Sequence, residues 1–363
     1  MTAMAERPTT RLVVDPRAPD AAVIAEAARV LVAGRLVAFP TETVYGLGAH
    51  ALDETAVAAI FAAKGRPRTD PLIVHVASVA DLSRLASSVP PVAAALAAAF
   101  WPGPLTLLLP RRDDVPDIVT AGRPSVAVRV PAHPVALALL RAAAIPVAAP
   151  SANRFSRPSP TTAAHVLADL DGRIDLVVDG GTTDIGVEST IVDCLGDGPV
   201  VRRAGGVPIE QLRTIVPAIR AADEVVDIDT AQVAPGQLLR HYAPTARLTA
   251  YDGGLDAVVA RVAREARQQV GAGQRVGLIA PEEALTALAP ELAAAASAGR
   301  IVVASLGRRD DGAAAAQALF AALRTLDAAQ VDVILAIGPS RTGLGVAVWD
   351  RLRRAGEGRV IRL

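Results

Sequence analysis

Between Phe39 and Val76 the chain reads FPTETVYGLGAHALDETAVAAIFAAKGRPRTDPLIVHV, and this stretch gathers polar groups that packing alone does not assemble. Thr41, Glu42 and Thr43 set two hydroxyls and a carboxylate side by side, and further on Lys64, Arg66 and Arg68 concentrate positive charge. Cations beside hydroxyls suit a polyphosphate, whose charge must be neutralised and whose oxygens must be hydrogen-bonded. Lys64 is the sole lysine in a chain with 37 lysine and arginine residues. A compact ammonium on a flexible stem can follow a phosphate, whereas the planar arginine fork is more demanding. The other reading is that the three cations offset a helix dipole, worth about 0.3–1 kcal/mol without any ligand. A coding preference for arginine accounts for scarce lysine but not for the one retained, so phosphate contact is the reading preferred. Asp70 opens a further strand that carries His75, a residue open to both a ligand role and a core role.

The elements around this stretch must position those groups. Leu36 to Phe39 reads as a buried strand stopped by Pro40, so the Thr-Glu-Thr triplet leaves the strand at its tip. Gly46 and Gly48 predict a turn. Asp53 then caps an alanine-rich helix that runs to about Lys64 and is ended by Gly65 and Pro67. A strand at Arg11–Val14 and an amphipathic helix at Ala21–Ala33 precede it. Helices are expected at Asp81–Ala86 and Val92–Phe100, then a strand at Leu105–Leu109. Ser125 to Val130 alternates so that Val126, Val128 and Val130 share one face while Ser125, Ala127 and Arg129 share the other. An arginine in so apolar a strand needs an anion, and a ligand and a structural carboxylate are equally open.

After a helix at His133–Ala143, Pro146–Pro150 reads as a buried strand that delivers Ser151 and Asn153 to its end, where open α/β sheets bind ligands. Ser159-Pro160 predicts a helix start with Ser159 as N-cap, at an N-terminus that could also take an anion. Strands at Ile174–Val178 and Ile191–Asp193, a strand closed by Arg202 and Arg203, and a helix at Ile209–Ile215 complete an N-terminal domain over 10–216.

With 363 residues, 52% of them hydrophobic, the chain can build two ordinary domains. Acidic and basic residues number 37 each, so a general attraction to nucleic acid or anionic membrane is not indicated. Cys194 is the only cysteine, which excludes an internal disulfide and paired-cysteine zinc sites and suits a reducing compartment. MTAMAERPTTR lacks the apolar core of a signal peptide, and the long Ala/Leu runs are broken by Pro or Arg, so a cytoplasmic protein is expected. Residues 217–246 lose periodicity and read as a linker. Within it Pro235–Pro244, PGQLLRHYAP, is an unusual composition for a passive tether. From 247 to 363 strands and helices alternate strictly, which predicts a small parallel sheet covered on both faces. No GxGxxG and no lysine mark its strand ends, so a lid or docking role is expected there.

Taken together, FPTETVYGLGA (39–49), FAAKGRPRTDPLIVHV (61–76), WPGPLTL (101–107), VAVRVPAHP (126–134), APSAN (149–153), SPT (159–161), GVESTIVD (186–193) and PGQLLRHYAP (235–244) resemble the two-domain form of the YrdC-like threonylcarbamoyl-AMP synthases. The resemblance implies an α/β fold: an N-terminal YrdC-like domain on a twisted mixed sheet plus a smaller C-terminal Rossmann-like domain. It implies that L-threonine takes up bicarbonate or CO2 and that the carbamate attacks the α-phosphate of ATP, giving threonylcarbamoyl-AMP and pyrophosphate for tRNA threonylcarbamoyladenosine modification.

Carried over by position, the threonine contacts fall on Thr43, His75, Arg129, the backbone at Ala149, and Ser189. The ATP contacts fall on Lys64, Arg66, Asp70, Ser125, Ser151, Asn153, Ser159, Arg203 and Tyr242. Magnesium is implied as held mainly by the ATP phosphates and water. A downstream threonylcarbamoyl transferase complex is the implied partner, with no stable binding of nucleic acid by this chain itself. Tyr242 suggests a linker that folds over the nucleotide and keeps water from a labile product.

The chain departs from the family at Phe155-Ser156-Arg157, where a Ser-Gly pair is common, and at Ala234, Leu238 and Leu239 in the linker. An RNA-binding protein is the main rival reading, disfavoured by zero net charge. A carbamoyl-adenylate enzyme of hydrogenase maturation is a second, disfavoured by the single cysteine.

Overall fold

The computed structural model describes residues 8–196, 198–222, 233–236 and 241–363. They divide into two compact units, Met1–Phe155 with Ser159–Leu238, and Ser156–Pro158 with Leu239–Leu363. The first unit runs β1 (Thr10–Val13), α1 (Ala21–Val32), β2 (Val37–Phe39), β3 (Gly46–His50), α2 (Glu54–Lys64) and β4 (Ile73–His75). A 3-10 turn at Val79–Arg84 is followed by α3 (Pro91–Phe100), β5 (Leu105–Pro110), α4 (Asp117–Thr120), β6 (Ser125–Arg129), α5 (Pro134–Ala143) and β7 (Val147–Ala148). Then come α6 (Ala163–Leu170), β8 (Leu176–Asp179), β9 (Thr190–Asp193), β10 (Val200–Arg203), α7 (Ile209–Ile215) and β11 (Arg220–Ala221).

These strands form one mixed 11-stranded sheet in the order β1-β8-β2-β3-β7-β4-β6-β5-β9-β10-β11. Because β11 pairs parallel with β10, the first unit extends beyond Val216.

Strand alternation decides what each face of this sheet does. Val126, Val128 and Val130 join Val74, Leu105, Leu107 and Val192 in the main core, under α2 and α3. On the opposite face Ala127 packs with Ile73, Leu108, Ile191 and Ala234. In register His75 lies opposite Arg129 and Ile73 opposite Ala127, while Leu108 is the partner of Ala127 on β5. Directly paired residues point to the same side, so His75, Arg129 and Ser125 emerge on the Ala127 face. Ala234, from the stretch before Pro235, covers part of that face.

Two local expectations are corrected. Gly46 and Gly48 do not make a turn but lie within β3, where a Cβ at Gly48 would meet Phe39 Cε1 at 2.8 Å and Val147 Cγ1 at 2.9 Å. They are there for close packing. In place of a helix at Asp81–Ala86 there is a 3-10 turn at Val79–Arg84, entered through a capping box between Ser78 and Asp81, and Ala86 lies beyond it in a bridge to Arg111.

The second unit carries β12 (Arg247–Asp252), α8 (Leu255–Gly271), β13 (Val276–Ala280), α9 (Glu282–Ser297), β14 (Ile301–Ser305), α10 (Gly312–Ala328), β15 (Val333–Ile337), α11 (Leu344–Ala355) and β16 (Val360–Arg362). Its five strands are all parallel, in the order β14-β13-β15-β12-β16. Its core, which includes Tyr251, Val262, Leu278, Leu288 and Leu335, is its own. Among the described residues no helix is long and apolar enough to cross a membrane.

Candidate active site

At the tip of β2 the Thr-Glu-Thr triplet is buried, and proton bookkeeping orients its hydroxyls. Thr41 Oγ1 donates to the Val44 carbonyl at 2.6 Å, so the Thr43 hydroxyl is the donor in the 2.7 Å bond between the two threonines. Thr43 Oγ1 in turn accepts from Arg129 Nη1 at 2.9 Å. Arg129 also donates through Nε to the Gly103 carbonyl, and its Nη2 faces Glu42 Oε1 at 2.6 Å. Both side chains of this ion pair are almost wholly buried, at 4% and 8% exposure. The anion that the strand arginine required is therefore a structural carboxylate in this structure, and the sequence had left that open. His75, buried on β4, has its imidazole pKa lowered to about 3, by burial first and by Arg129 second. It is neutral at physiological pH and adds no charge beside Arg129.

Asp53 caps α2 by accepting from the N–H groups of Thr55 and Ala56, and Gly65 closes the helix in the left-handed region at φ 65°. That geometry turns Lys64 inward. Its Nζ donates to the carbonyls of Ser151 and Asn153, each at 2.6 Å, so the two strand-end residues meet the lysine through their backbone. The third Nζ proton has no acceptor among the described residues. Burial, reinforced by Arg66, holds the ammonium well below the ordinary lysine range, while Asp70 and Asp169 act in the opposite sense. A solvated partner of the helix dipole would not show this burial.

Arg66 folds onto the Asp70–Pro71 backbone and pairs with Asp70 Oδ1 at 2.9 Å. Asp70 is fully buried, its pKa raised by burial against the opposing pull of Arg66, and its Oδ2 has no hydrogen-bond partner among the described residues.

From Asp70 a chain of hydrogen bonds crosses the Ala127 face. The Gly236 N–H donates to Asp70 Oδ1 at 3.4 Å, and the neighbouring Pro235 carbonyl accepts from Arg203 Nη1 at 3.2 Å. Arg203 donates to the carbonyl and hydroxyl of Ser189, which bonds Thr106 Oγ1 at 2.8 Å. The nucleotide candidates Arg66, Asp70 and Arg203 thus connect with the threonine candidate Ser189 through two linker residues. Thr43, Arg129 and His75 gather on the same face. Ala149 is buried next to them, its N–H donating to the Ile73 carbonyl. Ser125 is buried at the far end of β6, opposite Pro110 and away from Arg129.

Ser159 is not an N-cap. Thr162 caps α6 by accepting from the His165 N–H, and Ser159 Oγ is buried in a 2.5 Å bond to Glu188 Oε1. The helix end is occupied by its own threonine because the turn after Pro160 delays the helix to Ala163. Tyr242 belongs to the second unit, buried at φ 61° against Phe320, with ring centroids 5.3 Å apart, and beside His241.

At the family departure, Ser156 takes φ 68°, a region that glycine enters freely, and its carbonyl accepts from the Ala243 N–H. Leu238, Leu239 and Arg240 lie outside the described residues. Sequence reasoning did not single out Thr106, Glu188 or Gly236, for none has a local signal. Thr41 and Glu42 did have one, their adjacency to Thr43.

The fold and this polar floor define a YrdC-like α/β domain followed by a smaller parallel α/β domain. The family model described as "Telomere recombination" matches residues 29–205, and that described as "Threonylcarbamoyl-AMP synthase, C-terminal domain" matches 207–356. The threonylcarbamoyl-AMP synthase of Pyrococcus abyssi is 46% identical over 91% of this chain and 93% of its own length. That of Bacillus subtilis is 44% identical over 93% and 94%. The crystal structure of P. abyssi Sua5 complexed with L-threonine superposes with a TM-score of 0.88 at 42% identity, covering 98% of this chain and all of the other. The chain belongs to the threonylcarbamoyl-AMP synthase family, in its two-domain form.

Proposed function

We infer that this enzyme is a nucleotidyltransferase that makes L-threonylcarbamoyl-AMP and pyrophosphate from L-threonine, bicarbonate and ATP, in the cytoplasm, for tRNA threonylcarbamoyladenosine modification. The single observation that carries the reading is the hydrogen-bonded path on one sheet face from Arg66 and Asp70 through Gly236, Pro235 and Arg203 to Ser189. It joins groups suited to phosphate with groups suited to a small amino acid. The substrate ammonium first gives a proton to water; the free amine then takes up CO2 and releases a second proton to water, or takes up bicarbonate with loss of water, and a carbamate oxygen attacks the α-phosphate as pyrophosphate departs.

Thr43, Arg129 and Ser189 hold the amino acid, with neutral His75 and the Ala149 backbone closing its pocket. Lys64, Arg66 and Arg203 neutralise phosphates, and Ser125, Ser151, Asn153 and Ser159 are the remaining nucleotide contacts on the first unit. Positioning and charge neutralisation carry such chemistry without a covalent nucleophile.

Among the described residues no group of three or more His, Cys, Asp or Glu could hold a metal. Magnesium would be bound through ATP and water, and the unpartnered Asp70 Oδ2 fits an acceptor for metal-bound water. Its charge would help neutralise the triphosphate. As the family resemblance implies, the product goes on to a threonylcarbamoyl-transferring partner, and the zero net charge argues against stable tRNA binding by this chain itself.

The test incubates the protein with ATP, bicarbonate and each amino acid in turn and seeks a carbamoylated adenylate by mass. Product with threonine is expected. Lys64→Ala should lower kcat/KM roughly ten- to a hundredfold, the worth of a charge-assisted contact. Threonine-independent ATP consumption, or an unchanged Lys64→Ala enzyme, would count against the reading.

A further inference from the structure

The Glu42–Arg129 pair is close without being well bonded. The two groups stand 2.6 Å apart, yet Arg129 Nη2 and both Glu42 carboxylate oxygens are shut off from solvent and lack any aligned hydrogen bond among the described residues. Neither hydroxyl of the Thr-Glu-Thr triplet is free to relieve them. Thr43 is committed to Thr41, and Thr41 to the Val44 carbonyl. His133, whose Nδ1 accepts from the Val135 N–H, keeps its ring proton on Nε2, and that donor makes no hydrogen bond to Glu42. Arg129 spends Nε on Gly103 and Nη1 on Thr43, so Nη2 alone turns to Glu42. The ion pair offsets part of the cost of burying this carboxylate, and its unfilled acceptor capacity is what a bound donor could use.

We propose that Glu42 receives the α-amino group of the amino acid whose carboxylate engages Arg129, so that the pair recognises a zwitterion. This rests on the proposed function, which places Arg129 at the amino acid, whose carboxylate is the group a guanidinium would bind. An α-amino acid bears a negative and a positive group on a single carbon. Bound against the pair, whose members already touch at 2.6 Å, it offers each buried charge a second, opposite partner and leaves the net charge of the site unchanged. After carbamoylation the nitrogen retains one N–H, so the bond to Glu42 survives into the step at phosphorus. Glu42 is therefore a specificity-determining residue, selecting amino acids over simple hydroxy acids.

The experiment measures binding of L-threonine and of 3-hydroxybutyrate, which is threonine without its amino group, to the full chain by calorimetry. Glu42→Gln should weaken threonine by about tenfold or more while 3-hydroxybutyrate binds unchanged or more tightly, since Arg129 has lost its competitor. A parallel loss for both ligands would mean a purely structural carboxylate and would overturn the proposal. So would threonine affinity within about twofold of the parent.

Arg129→Gln separates the underlying assignment from the proposal. Loss of both ligands supports the carboxylate contact, whereas no change in either removes that contact and the proposal with it. Should Glu42→Gln fail to fold, the parent protein still decides. A preference for threonine over 3-hydroxybutyrate of tenfold or so supports the amino-group contact, and a preference of about threefold or less removes it.

Discussion

His75 shows how burial rather than residue type sets a role. Its folded pKa of about 3 lies well under the roughly 6.5 of an unfolded chain. Between those values the unfolded state binds a proton that the folded state excludes. Stability is therefore complete above about pH 6.5 and declines as pH falls towards 3. The melting temperature of the parent should drop between about pH 7 and pH 5 more steeply than that of His75→Asn, as a fluorescence melt at several pH values would reveal. Parallel curves would mean that the imidazole takes up its proton while folded. Lys64 is a companion case: its uniqueness in the sequence pointed to a special task, but only the fold shows that it is tied to the Ser151 and Asn153 carbonyls.

At the level of the element, the alternation in β6 was legible because a strand repeats every second residue whatever it pairs with. The caps of α2 were legible for a similar reason, as Asp53 and Gly65 act on groups within a turn of themselves. Gly48 was not, since its task depends on Phe39 and Val147 arriving from two other strands. A methyl there has no room, and Gly48→Ala should cost about 1–3 kcal/mol in urea denaturation. Full stability in that variant would mean that β2 and β7 can move apart. Ser159 illustrates the opposite error, a good capping sequence outcompeted by Thr162 once Glu188 had claimed the serine hydroxyl.

For the whole molecule, a second unit with a hydrophobic core of its own predicts separable folding. The second unit closes its own parallel sheet around Leu278, Leu288 and Leu335. A fragment spanning residues 241–363 should unfold cooperatively on its own, with near-ultraviolet dichroism from Tyr251 and Trp349, both buried in that unit. Loss of the Arg324 bond to the Pro158 carbonyl should lower its stability only modestly. A fragment with helical signal but no cooperative transition would show that it depends on the first unit. The strict β/α alternation from 247 onward was plain in the sequence, whereas the order β14-β13-β15-β12-β16 was not.

What the sequence determined by itself was local: the strand tip bearing Thr41, Glu42 and Thr43, the capped helix ending at Lys64, the alternation that put Arg129 and Ser125 on one face, and the motif set that identifies the family. Each depends on residues a few positions apart, where geometry is nearly independent of the remainder of the chain. Only the tertiary structure decided that Arg129 meets Thr43 from 86 positions away and faces Glu42, or that Pro235 and Gly236 bridge Arg203 to Asp70. Such partners are chosen by the order of strands in the sheet, and that order comes from packing the whole core rather than from any one segment.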